Sequence, residues 1–374
     1  MPAPRDIVIT GVGMTSSLGF DAVTSCAAAR AGLTRPELLD FWVEDTDALE
    51  AVPVAGRTMG WYTEGFAELG RLVQLGRPAL RDVVQSAGLS YEQMERVAWV
   101  INLADGYHEA QAQRVEAALD PEGEIEPERP PYEDLWPWYE ERLMPGLLGA
   151  LPERPSRAPA RLLYKGAAGA AVALAEARRV LTEGRVEICL VGGIDALVDG
   201  RWLDALHTLG ILKTPVDAAG ITPGEAAVFL CVETAETARS RGATVRAVLG
   251  EPAVGRDPAH RFGESPPSGV MLASVIEAAA SGAHATVCYA GLAGDALGAA
   301  EWGRAWVRLQ NTVDIREVAY PAAAFGATGA ASGFASAAVA LHSFARDCHP
   351  APSALIWEAS DDGLRGAFSL HSPS

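Results

Sequence analysis

An α/β protein built from two similar halves is predicted from three features of this 374-residue chain. Short apolar runs alternate with helix-like segments along its length, the pattern of a layered sheet-and-helix protein. A helix rich in small residues stands directly before a buried strand in Leu162–Val198, LLYKGAAGAAVALAEARRVLTEGRVEICLVGGIDALV. A second such helix closes the last third, in Val318–Phe344, VAYPAAAFGATGAASGFASAAVALHSF. Two Gly/Ala helices, each next to an apolar strand, point to two halves packed back to back.

The central unit predicts a helix over Ala167–Leu181, a stop at Gly184, a strand at Val186–Val191 and a Gly192–Gly193 turn. Gly169, Ala173 and Ala177 repeat at four-residue spacing, and such a stripe lets backbones approach closely, as a helix between two sheets needs. Ile7–Gly13 is a strand opening into a Gly turn. A GxG after a strand hints at a dinucleotide site, but the full GxGxxG leading into a helix is absent, so a structural turn is predicted. A helix starts near Asp21, a capping residue. Residues 33–60 look like a surface excursion, and Leu69–Ala87 an amphipathic helix or helix pair interrupted at Gly76. Val97–Leu103 is a strand turned by Asp105–Gly106. Residues 118–159 are the least regular, acidic and Pro-rich, but Tyr132, Trp136, Trp138 and Tyr139 suggest that the segment docks as an interface or lid. Strands follow at Ala227–Glu233, Val245–Gly250, Ala285–Ala290, Ser353–Glu358 and Leu364–Leu370.

The balance of 48 acidic and 30 basic residues gives a net charge of −18. That field repels nucleic acid and anionic membrane, so neither is expected as a partner. No apolar run reaches the length of a membrane span, and the N-terminus lacks the pattern of a signal peptide, so a cytoplasmic location is expected. Cys26, Cys189, Cys231, Cys288 and Cys348 show no CxxC spacing and are expected to be reduced thiols, most of them in the core. No metal or cofactor ligand set is evident.

Several stretches occur in the order of one family. IVITGVGMTSSLG, GRPALRDVVQSAGL, EICLVGGIDAL and above all PVDAAGITPGEAAVFLCVETAETARSRGA (Pro215–Ala243) resemble the β-ketoacyl synthases, condensing enzymes of the thiolase fold, along nearly the whole chain. The resemblance implies a thiolase-like fold, two similar halves in five layers, α-β-α-β-α, and a dimer. We place the halves at 1–212, with the insertion at about 118–159, and 213–374.

The same resemblance implies a nucleophilic cysteine at a helix start and two histidines that assist decarboxylation. None is present. The nucleophile position falls on Ala167, within Tyr164-Lys165-Gly166-Ala167. The first histidine position falls on Ala290, before Gly291. The second falls on Ala324, or Ala323 with a one-residue slip, and the nearby lysine is missing too. The terminal Gly-rich loop reads Asp361-Asp362-Gly363-Leu364-Arg365-Gly366. Tyr164, Lys165, Cys288 and Phe325 remain as candidates for lining the old pocket, Cys288 as a substitute nucleophile and His108 as a rim residue. His260, His342, His349 and His371 read as surface, and Glu225 matches a family glutamate that supports the core.

The expectation is a catalytically inactive homologue, a non-condensing partner resembling the chain-length-factor subunit of fatty acid or polyketide biosynthesis. Its partners would be a second copy or an active ketosynthase, with an acyl carrier protein in reach. Carrier proteins are themselves acidic, which disfavours docking on the acidic insertion. The alternatives are an acyltransferase or hydrolase using other residues, or a scaffold component of an unrelated assembly.

Overall fold

The computed structural model describes residues 2–45, 49–120, 129–156, 160–281 and 285–373. Its strands are β1 (Ile7–Ser16), β2 (Glu37–Asp45), β3 (Glu50–Gly56), β4 (Ala98–Leu103), β5 (Ala160–Tyr164), β6 (Ile188–Ala196), β7 (Glu225–Thr234), β8 (Ala247–Leu249), β9 (Ala253–Arg256), β10 (Thr286–Ala290), β11 (Ile315–Ala319), β12 (Ser353–Ala359) and β13 (Leu364–His371). Apart from a β2–β3 hairpin they join in one path, β11-β10-β12-β13-β8-β1-β7-β6-β4-β5, with β9 beside β13.

That path is a duplication. Counting β1, β4, β5, β6, β7 as one to five, and β8, β10, β11, β12, β13 likewise, gives the order 3-2-4-5-1 in both halves. The directions repeat as well: strand two is parallel to strands three and four, and strand five is antiparallel to its two neighbours, strands four and one. The halves meet where Val8 and Ile9 pair with Val248 and Ala247. β7 pairs with β1 and β6, so the strand repeat groups Glu225–Thr234 with the first five strands.

Five layers result. The helix Gly169–Thr182 packs on β4 and β6 of one half and β13 of the other, and Ser332–Ala345 packs on β12 and β7. Both therefore lie between the half-sheets, where small side chains are required. Gly169, Ala173 and Ala177 are all buried, and Gly184 ends the first helix at a φ of +67°. The helices touch through Gly333, where an added Cβ would lie 2.7 Å from the Cβ of Ala170. Helix Glu68–Ala87 covers the outer face of β1 and β7, and Val270–Ala279 covers β13. One hydrophobic cluster fills the spaces on both sides of the paired helices, and each half has a further cluster under its outer helices.

Four sequence expectations are corrected. Gly192 and Gly193 do not turn the chain; they sit inside β6, because a Cβ there would meet Val228 O at 2.2 Å and Ala330 O at 2.1 Å. β1 likewise runs on to Ser16 through Gly13, whose missing Cβ leaves room for the backbone of Ala79 and Val83. Glu68–Ala87 is one helix of 20 residues, unbroken at Gly76, which accommodates Leu147. Residues 33–60 contain the β2–β3 hairpin.

The acidic insertion, expected as a loop, contains the helix Trp136–Leu148, with Pro137 in its first turn where proline is tolerated. Tyr132 and Tyr139 are buried in the core of their own chain, and Tyr132 packs edge-on to Trp202. Residues 121–128 of that insertion lie outside the described residues. Glu225 at the start of β7 is fully buried, accepting from Met59 N (2.6 Å), Thr58 Oγ1 (2.7 Å), Thr63 Oγ1 (3.0 Å) and Arg71 Nε (2.7 Å). It clamps the Thr58–Thr63 segment to the sheet, the supporting role expected of it.

Gly193→Ala should destabilise the protein by about 1–3 kcal/mol or more, since the obstacle is backbone that cannot rotate away. Gly303→Ala, in the exposed face of helix Ala296–Leu309 with open space around it, should be neutral or stabilising by up to about 1 kcal/mol. Urea denaturation of the two variants checks both signs.

Candidate functional site

The parallel strands β4, β6, β10 and β12 all end at one cleft, the place where open α/β sheets hold ligands. The starts of the two buried helices complete its wall. Asn102, at the end of β4, ties those starts together by donating to Gly166 O (2.8 Å) and Ala330 O (3.1 Å). Ser360, just beyond β12, accepts from Ala168 N (2.9 Å). The cavity volume is about 140 Å³. An engineered cavity of about 150 Å³ holds one benzene, so this one fits a ring-sized or short-chain group rather than a long chain.

Ala167, Ala290 and Phe325 line the cleft. Ala324 does not: it belongs to the central hydrophobic cluster, and the segment meets the cleft through Phe325–Gly329. Three of the candidate lining residues are also elsewhere. Tyr164 stacks on Trp136 (4.2 Å between ring centroids, 10° between planes), with its hydroxyl donating to Trp136 O at 3.3 Å. Lys165 points to solvent. Cys288 is fully buried in mid-β10, beside Trp357 in the outer cluster of the second half, and burial pushes its thiol up to about 12. It cannot supply a thiolate to the cleft. Burial likewise raises the Cys26, Cys189 and Cys231 thiols, and Cys348 is exposed outside the cleft.

His260, His342, His349 and His371, expected at the surface, are half-buried. Burial lowers the last three below the usual histidine range. The His371 ring lies between Ser353 Oγ (3.0 Å) and Ser369 Oγ (3.3 Å). None of the four lines the cleft.

The cleft instead carries an ionic chain. His108 Nε2 lies 2.8 Å from Asp361 Oδ2, Arg261 Nε lies 2.9 Å from the same oxygen, and Arg261 also pairs with Asp295. Burial pushes Asp361 up, but the His108 hydrogen bond and the Arg261 charge outweigh it and hold the carboxyl at about 2. Burial pulls His108 down, but Asp361 wins and raises it above the ordinary value. A protonated histidine committed to a carboxylate is not a base. A second pair, Arg365 to Glu301 (2.7 and 3.0 Å), is bidentate and buried.

Besides Asp105, two further carboxyls in the cleft have no ion pair among the described residues. Asp195, near the end of β6, accepts from Ala330 N (2.9 Å) and Ala196 N (2.8 Å); burial still raises it to about 7. Glu358, near the end of β12, is 5% exposed and raised by burial alone to about 8. The duplication sets these two at equivalent places, strand four of each half. Both escape a motif search. The available signal is an acid closing an apolar run, as in LVGGID and ALIWE. Ser332, Ser336 and Ser360 also line the cleft, but among the described residues none is hydrogen-bonded to a histidine or carboxylate that would activate it. No group of three or more His, Cys, Asp and Glu among the described residues is placed to hold a metal.

No family model matches the chain, and no curated protein matches it. Solved structures do. The ishigamide ketosynthase/chain length factor superposes with a TM-score of 0.74 at 21% identity, covering 100% of both chains. A type II polyketide ketosynthase, in complex with its acyl carrier protein and bound to a hexaketide, gives 0.73 at 17% over 100% of both. A β-ketoacyl synthase from Burkholderia phymatum gives 0.70 at 18%, over 99% of this chain and 100% of that one. At these identities the likeness establishes the thiolase-like fold. No helix among the described residues is long and apolar enough to cross a membrane.

Two pH effects follow from the cleft. Glu358 holds its proton more tightly folded than unfolded, so the stability it contributes falls as pH rises from about 4.5 to about 8 and is level above. Glu358→Gln should therefore gain on the wild type across that window, by up to about 1.4 kcal/mol per pH unit, in urea titrations at stepped pH. The stability from His108 is fully present below about 6.5 and is lost as pH rises through its raised value. Asp361→Asn should drop the His108 imidazole pKa, read directly by NMR titration.

Proposed function

We propose that this protein is a non-condensing subunit of a cytoplasmic fatty acid or polyketide-type assembly, a chain-length-factor-like partner acting through shape. The observation that carries this reading is the chemistry of the cleft wall. Where the resemblance puts a condensing enzyme's thiol and first imidazole, the wall is Ala167 and Ala290–Gly291; the segment matched to the second imidazole at Ala324 meets the cleft through Phe325 and Gly326, and the buried cysteines lie away from it. Side chains that contact nothing reactive can still bound a volume.

The sheet edge suits a partner. β5 pairs only with β4 among the described residues, and its sequence, ARLLY, has one charged side chain to guard the open edge. The opposite edge, β11, exposes Arg316 and Glu317, the charges that discourage pairing. We place the dimer contact, with a second copy or an active ketosynthase, at β5, with an acyl carrier protein serving the assembled pair.

Intact mass should be unchanged after incubation with acyl-coenzyme A and acyl-carrier donors, and native mass should reveal a mixed dimer with a ketosynthase from the same source. In that dimer the β5 amides should exchange more slowly with deuterium. A covalent acyl adduct on this chain would sink the non-condensing role. A chain that stays single, with β5 amides equally exposed in every mixture, would sink the partner role and leave a stand-alone scaffold.

A further inference from the structure

Glu358 is a cleft carboxyl that no contact among the described residues accounts for. Its side chain lies along the cavity wall at the end of β12, with Oε2 against Gly291; a Cβ on that glycine would sit 2.4 Å from the oxygen. No hydrogen bond or ion pair reaches it from any described residue, although it is 95% removed from solvent by its 5% exposure. Buried polar groups are almost always partnered, so an orphan that lines a cavity indicates something the cavity is built to receive.

The neighbours decide what that is. Arg365 is spent on Glu301, and Arg261 on Asp361 and Asp295, with His108 on Asp361 as well. Asp195 is held by two backbone amides and Asp105 by Tyr107 N. None of the described cations lining the cleft is left to neutralise an ionised Glu358, so the neutral acid, a hydrogen-bond donor, is the form the cleft favours. Ala290, Leu292, Ala335 and Trp357 make the surrounding wall apolar. A donor in an apolar hole selects an uncharged acceptor: a cation would require ionising Glu358, and an anion would face Asp195 and Asp105.

We propose that the cleft is a binding site for a small neutral carbonyl compound, whose carbonyl oxygen accepts a hydrogen bond from the Glu358 carboxyl while its hydrocarbon part fills the apolar wall. The cavity volume of about 140 Å³ limits the occupant to roughly the size of a six-membered ring. The site stands apart from the partner role, since it needs neither a second subunit nor the β5 edge.

Cyclohexanone is the probe, being ring-sized, neutral and an acceptor, with cyclohexylammonium as its cationic counterpart. Ligand-observed NMR on the whole protein should give saturable binding of cyclohexanone at pH 6. Affinity should fall about 2- to 10-fold at pH 9.5, where Glu358 is ionised and offers only acceptors. Glu358→Gln retains a donor at both pH values and should bind within about twofold of the wild type's pH 6 affinity at pH 6 and at pH 9.5 alike. Glu358→Leu should lose the same 2- to 10-fold already at pH 6. Asp195→Asn should leave the pH profile in place, since Asp195 titrates nearby but makes no contact in the proposal. Should the Glu358 variants not fold, the wild type suffices: the infrared band of the protonated carboxyl should shift when cyclohexanone is added. Absence of saturable binding, tighter binding of cyclohexylammonium at pH 6, an unshifted carboxyl band, or an unchanged pH profile in Glu358→Gln would each overturn the proposal.

Discussion

The fold depends on two helices being thin enough to share one space. Gly169–Thr182 and Ser332–Ala345 lie side by side between the half-sheets, each in contact with strands of both halves. Ordinary side chains would force the layers apart, and the sheet-to-helix contacts on both sides would be lost together. Gly333 against Ala170 and Gly193 against Ala330 show how little space is left, since a single methyl at either place would overlap its neighbour. Close packing of this kind tolerates few volume changes, which is why alanine and glycine fill the helix faces while leucine, valine and phenylalanine fill the outer clusters.

That constraint also builds the cleft. Helices squeezed between sheets must start where the parallel strands end, so the Ala167 and Ala330 turns face β4, β6, β10 and β12 across a narrow gap. Asn102 closes the gap by bonding to both turns, a contact that keeps the two helix starts at a fixed separation. The duplication then brings equivalent strand ends to the same place from two halves. A site formed this way receives side chains in pairs, and the pair Asp195 and Glu358 follows from it.

Much of this architecture was legible in the chain, because small-residue spacing and apolar runs report directly on packing. The alternation of elements, the two Gly/Ala helices and the Gly184 stop all appear as patterns within a dozen residues. Glycines inside strands were misleading for a physical reason. Gly13 and Gly193 lack side chains to admit backbone from distant segments, and a turn leaves the same mark in the sequence. Ala167 and Ala290 were placed at the cleft by ordered resemblance, while Ala324 fell outside it by a single position. The ionic chain was hidden more deeply. His108, Arg261, Asp295 and Asp361 come from four separate segments, and only the folded chain brings each within hydrogen-bonding distance of the next.

Asp195 and Glu358 show how one duplicated position can diverge. The aspartate is short enough to reach the amides of Ala196 and Ala330, so it serves the fold. In the second half the corresponding helix-start contact is made two residues beyond Glu358, where Ser360 accepts from the amide of Ala168. The longer glutamate side chain is released from that duty and lies against Gly291 instead, with no hydrogen bond from any described residue. Its burial without a partner opposes stability as pH rises, and a protein keeps such a group where the cost is offset by something outside the fold. Recognition of an uncharged acceptor is the chemistry proposed for that acid, the cleft carboxyl with no hydrogen bond from any described residue.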